Sequence, residues 1–367
     1  MRILHVYKDY FPIPGGIENH VRLLAEAQAA AGHEVSVLVT NPGGMPSRER
    51  LAGVDVVRAW RVATVASTPL SPVLPWWIWR LRPDVTHLHF PYPVGEVGQL
   101  VGGYGRSYVI TYHSDVVRQQ GLLRLYRPLL RRVLRGAARI LATSQSYVES
   151  SPWLRPLSHK CTIVPLAIDP APYLKARPVY PKKAPTLLFV GRHRYYKGVD
   201  NLIQAMTQLP EAQLLIGGDG PMRPVWEALT REHQLDDRVH FLGNVSSADL
   251  PGLYASADVF VLPANARAEA FGTVLLEAMA AGLPCVTTEV GTGTSFVVQD
   301  GITGFVVPPQ QPALLADALR RLLADATLRQ RLGQAGRERV LAEFTLPKMV
   351  ARVEAVYRQV LAERGVA

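Results

Sequence analysis

The stretch Thr186-Leu-Leu-Phe-Val-Gly-Arg-His-Arg-Tyr-Tyr-Lys-Gly198 decides the fold of this chain of 367 residues. The apolar run at its start predicts a buried strand, and the loop that follows carries Arg192 and Lys197. In open α/β sheets, ligands bind outside the carboxyl ends of the strands. An arginine fork and a lysine point charge at such an edge suit a diphosphate, although two cations on a loop are also typical of a solvated surface.

A second informative stretch, Glu269-Ala-Phe-Gly-Thr-Val-Leu-Leu-Glu277, places two carboxylates around the start of a predicted helix over residues 274–284. Glu277 stands in an apolar setting and therefore needs either solvent or a polar partner. It lies one turn beyond Thr273, so the helix N-terminus can accept phosphate oxygens while Glu277 binds a vicinal diol such as a ribose. Glu269 can then reach hydroxyls beyond the phosphate. The alternative is a surface helix with ordinary salt bridges.

Elsewhere the chain alternates apolar strand patterns with helical ones, which indicates an α/β protein with parallel sheets. A chain of 367 residues exceeds the usual size of a single core, about 250 to 300 residues, so two domains are expected. A proline-rich stretch over residues 170–185 separates the two sets of strands. The predicted strands cover residues 3–7, 34–39, 54–57, 85–89, 108–112, 139–142 and 162–164 in the first set, and 186–190, 213–217, 239–242, 259–262, 285–288 and 304–307 in the second.

Two further observations bound the class of protein. No run of 18 apolar residues occurs, and the N-terminus is a short strand rather than a signal peptide, so we expect a cytoplasmic protein. Cys161 and Cys285 are far apart and lack metal-ligand spacing, which predicts reduced core residues.

Taken together, these residues resemble the retaining glycosyltransferases of family 4, whose GT-B fold has two Rossmann-like domains facing across a cleft. The resemblance covers nearly the whole chain. It rests on segments that occur in this order: Gly15-Gly16-Ile17-Glu18, Thr111-Tyr112-His113-Ser114-Asp115, Gly191-Arg192, Lys197-Gly198-Val199-Asp200, Gly217-Gly218-Asp219-Gly220-Pro221, and Glu269 with Glu277.

The GT-B resemblance implies a division of the chain. Residues 1–172 would form an N-terminal, acceptor-side Rossmann-like domain, and residues 173–185 the hinge. Residues 186–345 would form the nucleotide-sugar-binding Rossmann-like domain. The last helix, within residues 346–367, would cross back to the N-terminal domain.

The resemblance also assigns roles in the second domain. Arg192 and Lys197 would bind the diphosphate of the donor, and Glu277 would bind the ribose of its nucleotide. Glu269 would bind hydroxyls of the donor sugar. Backbone N–H groups of three consecutive residues would contact sugar and phosphate, namely Phe271, Gly272 and Thr273.

In the first domain the resemblance points to Gly16 and His113. Gly16 would let its loop approach the diphosphate, and His113 would lie beside the reacting sugar. His113 directly follows a predicted strand, so it projects at a carboxyl edge, although a lone histidine is more often structural. We expect it to orient the sugar rather than abstract a proton.

The implied reaction transfers a glycosyl group from a nucleotide diphosphate sugar to an acceptor hydroxyl, with retention of anomeric configuration. No cofactor is implied. No metal is expected, because the chain has no Asp-x-Asp triplet and two cations can neutralise the diphosphate. The resemblance suggests attack from the leaving-group face, with a donor phosphate oxygen taking the proton. The alternative is Glu269 as a covalent nucleophile, on the model of the retaining glycosidases.

Residues 290–298, Val-Gly-Thr-Gly-Thr-Ser-Phe-Val-Val, depart from the family pattern because they lack its Pro-Glu pair. Thr292, Thr294 and Ser295 can still bind phosphate or sugar. The Gly-Thr-Gly-Thr-Ser form is similar to that of polysaccharide mannosyl- and rhamnosyltransferases. It therefore points to GDP-mannose as donor, with a glycan or glycolipid acceptor in cell-surface polysaccharide or glycolipid synthesis. The alternative function is a phosphorylase of a di- or polysaccharide on the same scaffold.

The net charge of +10 lies entirely in the first half of the chain. Residues 1–180 hold 21 Lys and Arg against 11 Asp and Glu, and the remaining residues hold 19 of each. The centre of this charge is the segment from Arg118 to Arg139, where arginines alternate with leucines and no acidic residue occurs. Such a helix can contact an anionic membrane, here the inner face of the cell membrane, or be a solvated helix whose leucines face the core. No nucleic-acid-binding motif accompanies the charge, so no nucleic acid partner is expected.

Overall fold

The structure is a computed structural model that divides into two compact units. The first unit combines Met1–Leu166 with Leu346–Ala367, and the second is Ala167–Thr345. At residues 120, 122, 123 and 125 the backbone alone is described. The described residues are 1–13, 15–116, 120–181, 184–363 and 365.

The strands of the first unit are β1 (Arg2–Val6), β2 (Glu34–Thr40), β3 (Ser47–Leu51), β4 (Val54–Ala59), β5 (Ala63–Val65), β6 (Thr68–Leu70), β7 (Val85–Phe90), β8 (Tyr108–Tyr112), β9 (Arg139–Ala142) and β10 (Cys161–Ile163). Eight of them form a sheet in the order β10-β9-β8-β7-β1-β2-β4-β3. Neighbours in this sheet are parallel except β3 and β4, which are antiparallel. β5 and β6 form a separate hairpin.

Every residue of β7 and β8 is buried, which indicates that helices cover both faces of this sheet. The last helix of the chain belongs to this unit, where it contacts β9 and the first helix. Its buried residues include Val353 and Tyr357, and the Tyr357 hydroxyl lies 2.5 Å from Nδ1 of His87. The helices are α1 (Gly16–Ala30), α2 (Leu74–Leu81), α3 (Pro93–Gly102), α4 (Gln120–Gly136), α5 (Gln145–Ser150) and α14 (Leu346–Ala362).

The second unit is a doubly wound domain around a fully parallel sheet. Its strands are β11 (Thr186–Val190), β12 (Gln213–Gly217), β13 (Val239–Gly243), β14 (Val259–Leu262), β15 (Cys285–Thr288) and β16 (Gly304–Val307). Its helices are α6 (Ala171–Leu174), α7 (Val199–Met206), α8 (Arg223–Glu232), α9 (Leu250–Ala255), α10 (Thr273–Ala280), α11 (Thr294–Val297), α12 (Pro312–Ala324) and α13 (Ala326–Glu343). The order β13-β12-β11-β14-β15-β16 is the strand order 3-2-1-4-5-6 of dinucleotide-binding domains. The predicted α/β architecture with two Rossmann-like domains is confirmed.

The division between the units lies before the proline-rich stretch, which the sequence assigns to the hinge at residues 173–185. Residues from Ala167 onward belong to the second unit. The backbone N–H groups of Val179 and Tyr180 each donate to the hydroxyl oxygen of Ser256, at 3.0 Å. The described part of this stretch is therefore fastened to the end of α9, and the first unit ends at residue 166 rather than 172.

Candidate active site

The candidate site of the second unit begins where the strand order of its sheet reverses. β11 pairs with β12 on one side and with β14 on the other. Successive strands are added outward from these two, in opposite directions. The loops that follow β11 and β14 therefore leave the same edge of the sheet side by side. A crevice forms at this point in open α/β sheets, and ligands bind there.

Backbone contacts hold these two loops together around Lys197. Gly198 has a left-handed backbone with φ of 66°, and a Cβ there would lie 2.1 Å from the carbonyl oxygen of Pro263. Only glycine fits that approach. The N–H of Asn265 donates to the carbonyl of Tyr196 at 3.0 Å. The loop after β11 is thus closed onto the loop after β14.

Lys197 and Glu269 form a buried ion pair between the two loops. The Nζ of Lys197 lies 2.6 Å from Oε2 of Glu269, and the two side chains are 11% and 9% exposed. Burial by itself would lower the pKa of Lys197, but the carboxylate of Glu269 raises it above its ordinary value. The structure therefore brings together two of the residues singled out from the sequence, as a charged pair in a weakly solvated position.

Arg192 stands at the other end of the loop and is exposed. Among the residues that the structure describes, none forms a hydrogen bond or an ion pair with its guanidinium group. Its charge is consequently available to an anion in solution, unlike that of Lys197, which Glu269 already neutralises.

The N-terminus of α10 follows Glu269 and has no side-chain cap. Gly272, its N-cap residue, has a φ of 80°, and a Cβ there would lie 2.9 Å from the Leu262 side chain. In the described part of the chain, the N–H groups of Phe271, Gly272 and Thr273 have no hydrogen-bond acceptor. Unpaired N–H groups at the positive end of a helix dipole bind anions, above all phosphate.

Glu277 lies one helical turn further on, and its polar partners are tyrosines. The hydroxyl of Tyr254 donates to Oε2 of Glu277 at 2.7 Å, and Tyr173 forms a second hydrogen bond with the same carboxyl group. Burial raises the pKa of Glu277 to about 7, although Tyr254, Lys197 and Tyr173 each act to lower it. Neither tyrosine is predicted from the sequence, because they reach Glu277 from α6 and α9, which are distant in the chain.

The loop over residues 290–298 corrects one prediction. Thr292 and Thr294 are fully buried, and their hydroxyls donate to the backbone carbonyls of Glu269 at 2.6 Å and Thr288 at 2.9 Å. They therefore hold the backbone of the site rather than face a ligand. Ser295 is half-buried and keeps its predicted role as a candidate ligand.

Gly16 of the first unit begins α1, after the loop that leaves β1. A Cβ at position 16 would have no atom within 4 Å, whereas a Cβ at Gly15 would lie 2.0 Å from a carboxylate oxygen of Glu18. Because that oxygen is the end of a side chain that can move aside, crowding is a weak reason for glycine at position 15. The first unit by itself gives no such reason for glycine at position 16.

His113 directly follows β8, at the carboxyl edge of the first sheet. Its backbone N–H donates to the backbone carbonyl of Phe90 at 3.1 Å, and its ring nitrogen Nε2 lies 3.1 Å from Nδ1 of His89. Burial lowers the pKa of His113 well below its ordinary value, so the ring is neutral at physiological pH. A neutral imidazole can orient a hydroxyl group, which agrees with the role expected for it.

His113 is one member of a group of buried histidines that also contains His5, His20, His87 and His89. Two triads, His5 with His87 and His89, and His20 with His89 and His113, bring three ring nitrogens within 4.8 Å of one another. In the described part of this unit, these are groups whose spacing could hold a metal ion, although no metal is predicted from the sequence. The available signal was His87-Leu-His89, two histidines on one face of a strand that pairs with the strand of His5.

The basic segment forms α4 in its described part, whereas Arg118 lies outside the described residues. Leu130, Val133 and Leu134 are buried in the first unit, which agrees with the solvated-helix alternative. Among the described helices, none has the length and apolar character needed to cross a bilayer. Exposed arginines of α4 are Arg124, Arg127, Arg131, Arg132 and Arg135.

Comparison with known proteins places the chain among enzymes that transfer sugars. The family model described as Glycosyl transferases group 1 matches residues 173–339, and the model described as Glycosyltransferase Family 4 matches residues 14–172. The D-rhamnosyltransferase WbpZ of Pseudomonas aeruginosa is 35% identical over 94% of this chain and 92% of its own. The O-antigen chain mannosyltransferase C of Escherichia coli is 30% identical over 100% of both chains. A sucrose-phosphate synthase from Thermosynechococcus elongatus superposes with a TM-score of 0.82 at 28% identity, over 99% of both chains.

Proposed function

Because the chain belongs to family 4 of the glycosyltransferases and is therefore a glycosyltransferase, we propose that its donor is a nucleotide diphosphate sugar. We propose further that transfer to an acceptor hydroxyl retains the anomeric configuration and needs no metal ion. The observation that carries the proposal is the Lys197–Glu269 pair, which lies at the reversal point of the second sheet beside the uncapped N-terminus of α10.

The diphosphate binds to Lys197, Arg192 and the N–H groups at the start of α10. When it takes Lys197 as its partner, the carboxylate of Glu269 becomes free to accept hydrogen bonds from hydroxyls of the sugar. Glu277, one turn along α10, binds the ribose. These groups are fixed before the reaction and stabilise the charge that develops on the leaving diphosphate, which is the function a metal ion has in other transferases.

Retention follows from attack of the acceptor hydroxyl on the face from which the diphosphate leaves, and a phosphate oxygen takes the proton. This route needs no covalent intermediate. Glu269 already has a role in each state of the proposed site, as partner of Lys197 before the donor binds and as acceptor for the sugar hydroxyls afterwards. His113, neutral and buried, orients a hydroxyl of the sugar.

For the donor we propose GDP-mannose, and for the acceptor a glycan or glycolipid of a cell-surface polysaccharide. Two observations support this choice. Two relatives that align with nearly the whole chain are a rhamnosyltransferase and a mannosyltransferase. The loop over residues 290–298 has the Gly-Thr-Gly-Thr-Ser form from which the same donor is predicted.

The exposed arginines of α4 support peripheral contact with an anionic membrane, on its cytoplasmic face. Since Leu130 and Leu134 are buried in the first unit, we take the contact to be electrostatic rather than inserted. Each arginine near the surface contributes about 1 kcal/mol. Arg124→Gln combined with Arg127→Gln should therefore lower binding to vesicles containing 30 mol% phosphatidylglycerol by about tenfold or more, measured by co-sedimentation in 0.1 M salt. Equal binding of both proteins, or equal binding to neutral vesicles, would contradict the proposal.

The test of the donor site is a thermal-shift screen against UDP, GDP, ADP and inorganic phosphate in the presence of EDTA. We expect GDP to stabilise the protein most, and Glu277→Ala to weaken that effect. The matched control is Glu211→Ala, which removes an exposed carboxylate from the same unit. Stabilisation by phosphate alone would instead favour the phosphorylase of a di- or polysaccharide.

The anomeric outcome needs a separate measurement. Transfer from GDP-mannose to a simple mannoside can be followed by NMR in EDTA, where the one-bond carbon–proton coupling at the new anomeric centre reports its configuration. A product of the same configuration as the donor is expected. An inverted product, or activity that requires added Mg²⁺ or Mn²⁺, would refute this part of the proposal.

A further inference from the structure

A continuous row of hydrogen bonds runs through the buried histidines of the first unit. The side-chain oxygen of Gln28 lies 2.8 Å from Nε2 of His5, and Nδ1 of His5 lies 3.0 Å from Nε2 of His89. Nδ1 of His89 lies 3.1 Å from Nε2 of His113. Gln28 is on α1, His5 on β1 and His89 on β7, so three elements of the unit position one row of side chains that ends at His113.

The row couples the protonation states of its three rings. A neutral imidazole has one N–H donor and one lone pair, and each contact between two rings needs one of each. Burial lowers the pKa of His5 to about 4 and those of His89 and His113 well below the ordinary value, so all three rings are neutral. Only two arrangements then satisfy every contact, one with all rings protonated at Nε2 and one with all protonated at Nδ1.

We propose that Gln28 selects the first arrangement and thereby presents Nδ1 of His113 as a hydrogen-bond acceptor. The amide oxygen of Gln28 has no hydrogen to donate, so Nε2 of His5 must carry one. The same requirement passes through His89 to His113. Gln28, His5 and His89 are positioning residues. If the proposed function is correct, His113 accepts a hydrogen bond from a hydroxyl group of the sugar substrate and disfavours a sugar that lacks this donor.

The neighbouring histidines do not interrupt the row. Both ring nitrogens of His87 are occupied by other groups, the hydroxyls of Tyr357 and Thr111 at 2.5 and 2.6 Å. His20 packs edge-on against His113, and its Nε2 has no partner among the described residues. A metal ion in either triad would have to displace a hydrogen bond, because both nitrogens of His89 already face a histidine nitrogen. Metal occupancy is therefore a competing outcome that experiment can recognise.

The direct test is the tautomer of each ring, read from long-range ¹H–¹⁵N correlations of protein labelled with ¹⁵N at the imidazole nitrogens. We expect the Nε2–H form for His5, His89 and His113. Gln28→Leu should give His113 a mixture of both tautomers, and Gln28→Met, which keeps the side-chain length but also lacks the acceptor, should do the same. The control is Gln99→Leu, a buried glutamine of α3 in the same unit whose amide faces the carbonyl of Gly103 instead.

Three results would overturn the inference: His113 protonated at Nδ1 in the unaltered protein, a tautomer that does not respond to Gln28→Leu, or stoichiometric metal in the purified protein. Kinetics supply a second readout. Gln28→Leu should lower kcat for transfer about tenfold and leave the Kd for GDP unchanged, since GDP binds the second unit. An unchanged kcat would also count against it.

These measurements separate the inference from the proposed function. Failure of the unaltered protein to bind GDP would refute the proposed donor site, while the tautomers would still test the row of histidines. Normal GDP binding and normal sugar transfer, together with His113 protonated at Nδ1, would refute the inference and leave the proposed function intact. Because Gln28→Met retains the side-chain length and removes the acceptor, it tests the row even if Gln28→Leu does not fold.

Discussion

Glu269→Gln offers the sharpest test of the ion pair at the candidate site, because it removes one charge and keeps the shape of the side chain. Breaking a buried pair by removing one partner costs about 3 to 5 kcal/mol, since the other charge stays buried without compensation. Lys197 and Glu269 retain 11% and 9% side-chain exposure, so we take the lower end, about 3 kcal/mol. For a domain of 150 to 250 residues this corresponds to a fall in Tm of roughly 6 to 12 °C.

The pH dependence of that loss has a definite sign. In the unaltered protein Glu269 holds the pKa of Lys197 above its unfolded value, so the contribution of the pair is fully present at pH 7 and persists to pH 9. Without Glu269, burial places the folded-state pKa of Lys197 below the unfolded value. The variant then gains stability as pH rises, and its deficit in Tm should be smaller at pH 9 than at pH 7.

A nucleoside diphosphate should replace the missing charge. In the variant, the diphosphate becomes the partner of Lys197 without competing against Glu269, so GDP should raise Tm more in Glu269→Gln than in the unaltered protein. Differential scanning fluorimetry at pH 7 and 9, with and without GDP, measures both effects, and Glu211→Gln on the surface of the same unit is the control. A fall in Tm below about 2 °C, or a rise with GDP no larger than in the unaltered protein, would refute the reasoning.

Three further predictions concern single residues. Gly16→Ala should leave Tm unchanged or raise it, because alanine is favoured over glycine in a helix by about 1 kcal/mol. If a ligand approaches that position, the same substitution should lower the transfer rate at least tenfold, and unaltered transfer would remove Gly16 from the site. Affinity for GDP, measured by calorimetry, should rise between pH 6 and pH 8, since the Glu277 carboxylate with a pKa of about 7 must be ionised to accept two hydrogen bonds from ribose hydroxyls. Glu277→Gln should abolish this pH dependence. Arg192→Gln should change Tm by less than about 2 °C because the side chain is exposed, while it weakens GDP binding about tenfold; equal binding would exclude Arg192 as a ligand.

The fold was predictable from the sequence because both sheets consist of continuous apolar runs. Each predicted parallel strand from residue 3 to residue 307 is present, and the GT-B prediction is confirmed by the similarity to known proteins. The strand missed in the first sheet is β3, whose residues Ser-Arg-Glu-Arg-Leu are mostly exposed and carry no apolar alternation. An edge strand of this kind is held by its antiparallel partner, which a local pattern does not reveal.

The site was only partly predictable, for a physical reason that differs from residue to residue. Lys197 and Glu269 each follow a buried strand, so chain order alone places both at one edge, and the structure joins them. Tyr254 could not be predicted, since its contact with Glu277 depends on how α9 packs against α10. Thr292 was misjudged for a related reason: a hydroxyl suited to a ligand is equally suited to a backbone carbonyl, and burial decides between them.

The position of α14 has a consequence for how the protein is made and dissected. The first unit is discontinuous, since α14 completes its core after the entire second unit has been synthesised. Until then β7 lacks Tyr357, the hydrogen-bond partner of His87, and α1 and β9 lack the helix that contacts them. A fragment ending at residue 166 would therefore expose an unfinished apolar surface, whereas the second unit is continuous and can finish folding first. Independent production of the first unit would require the two segments to be rejoined by a short linker.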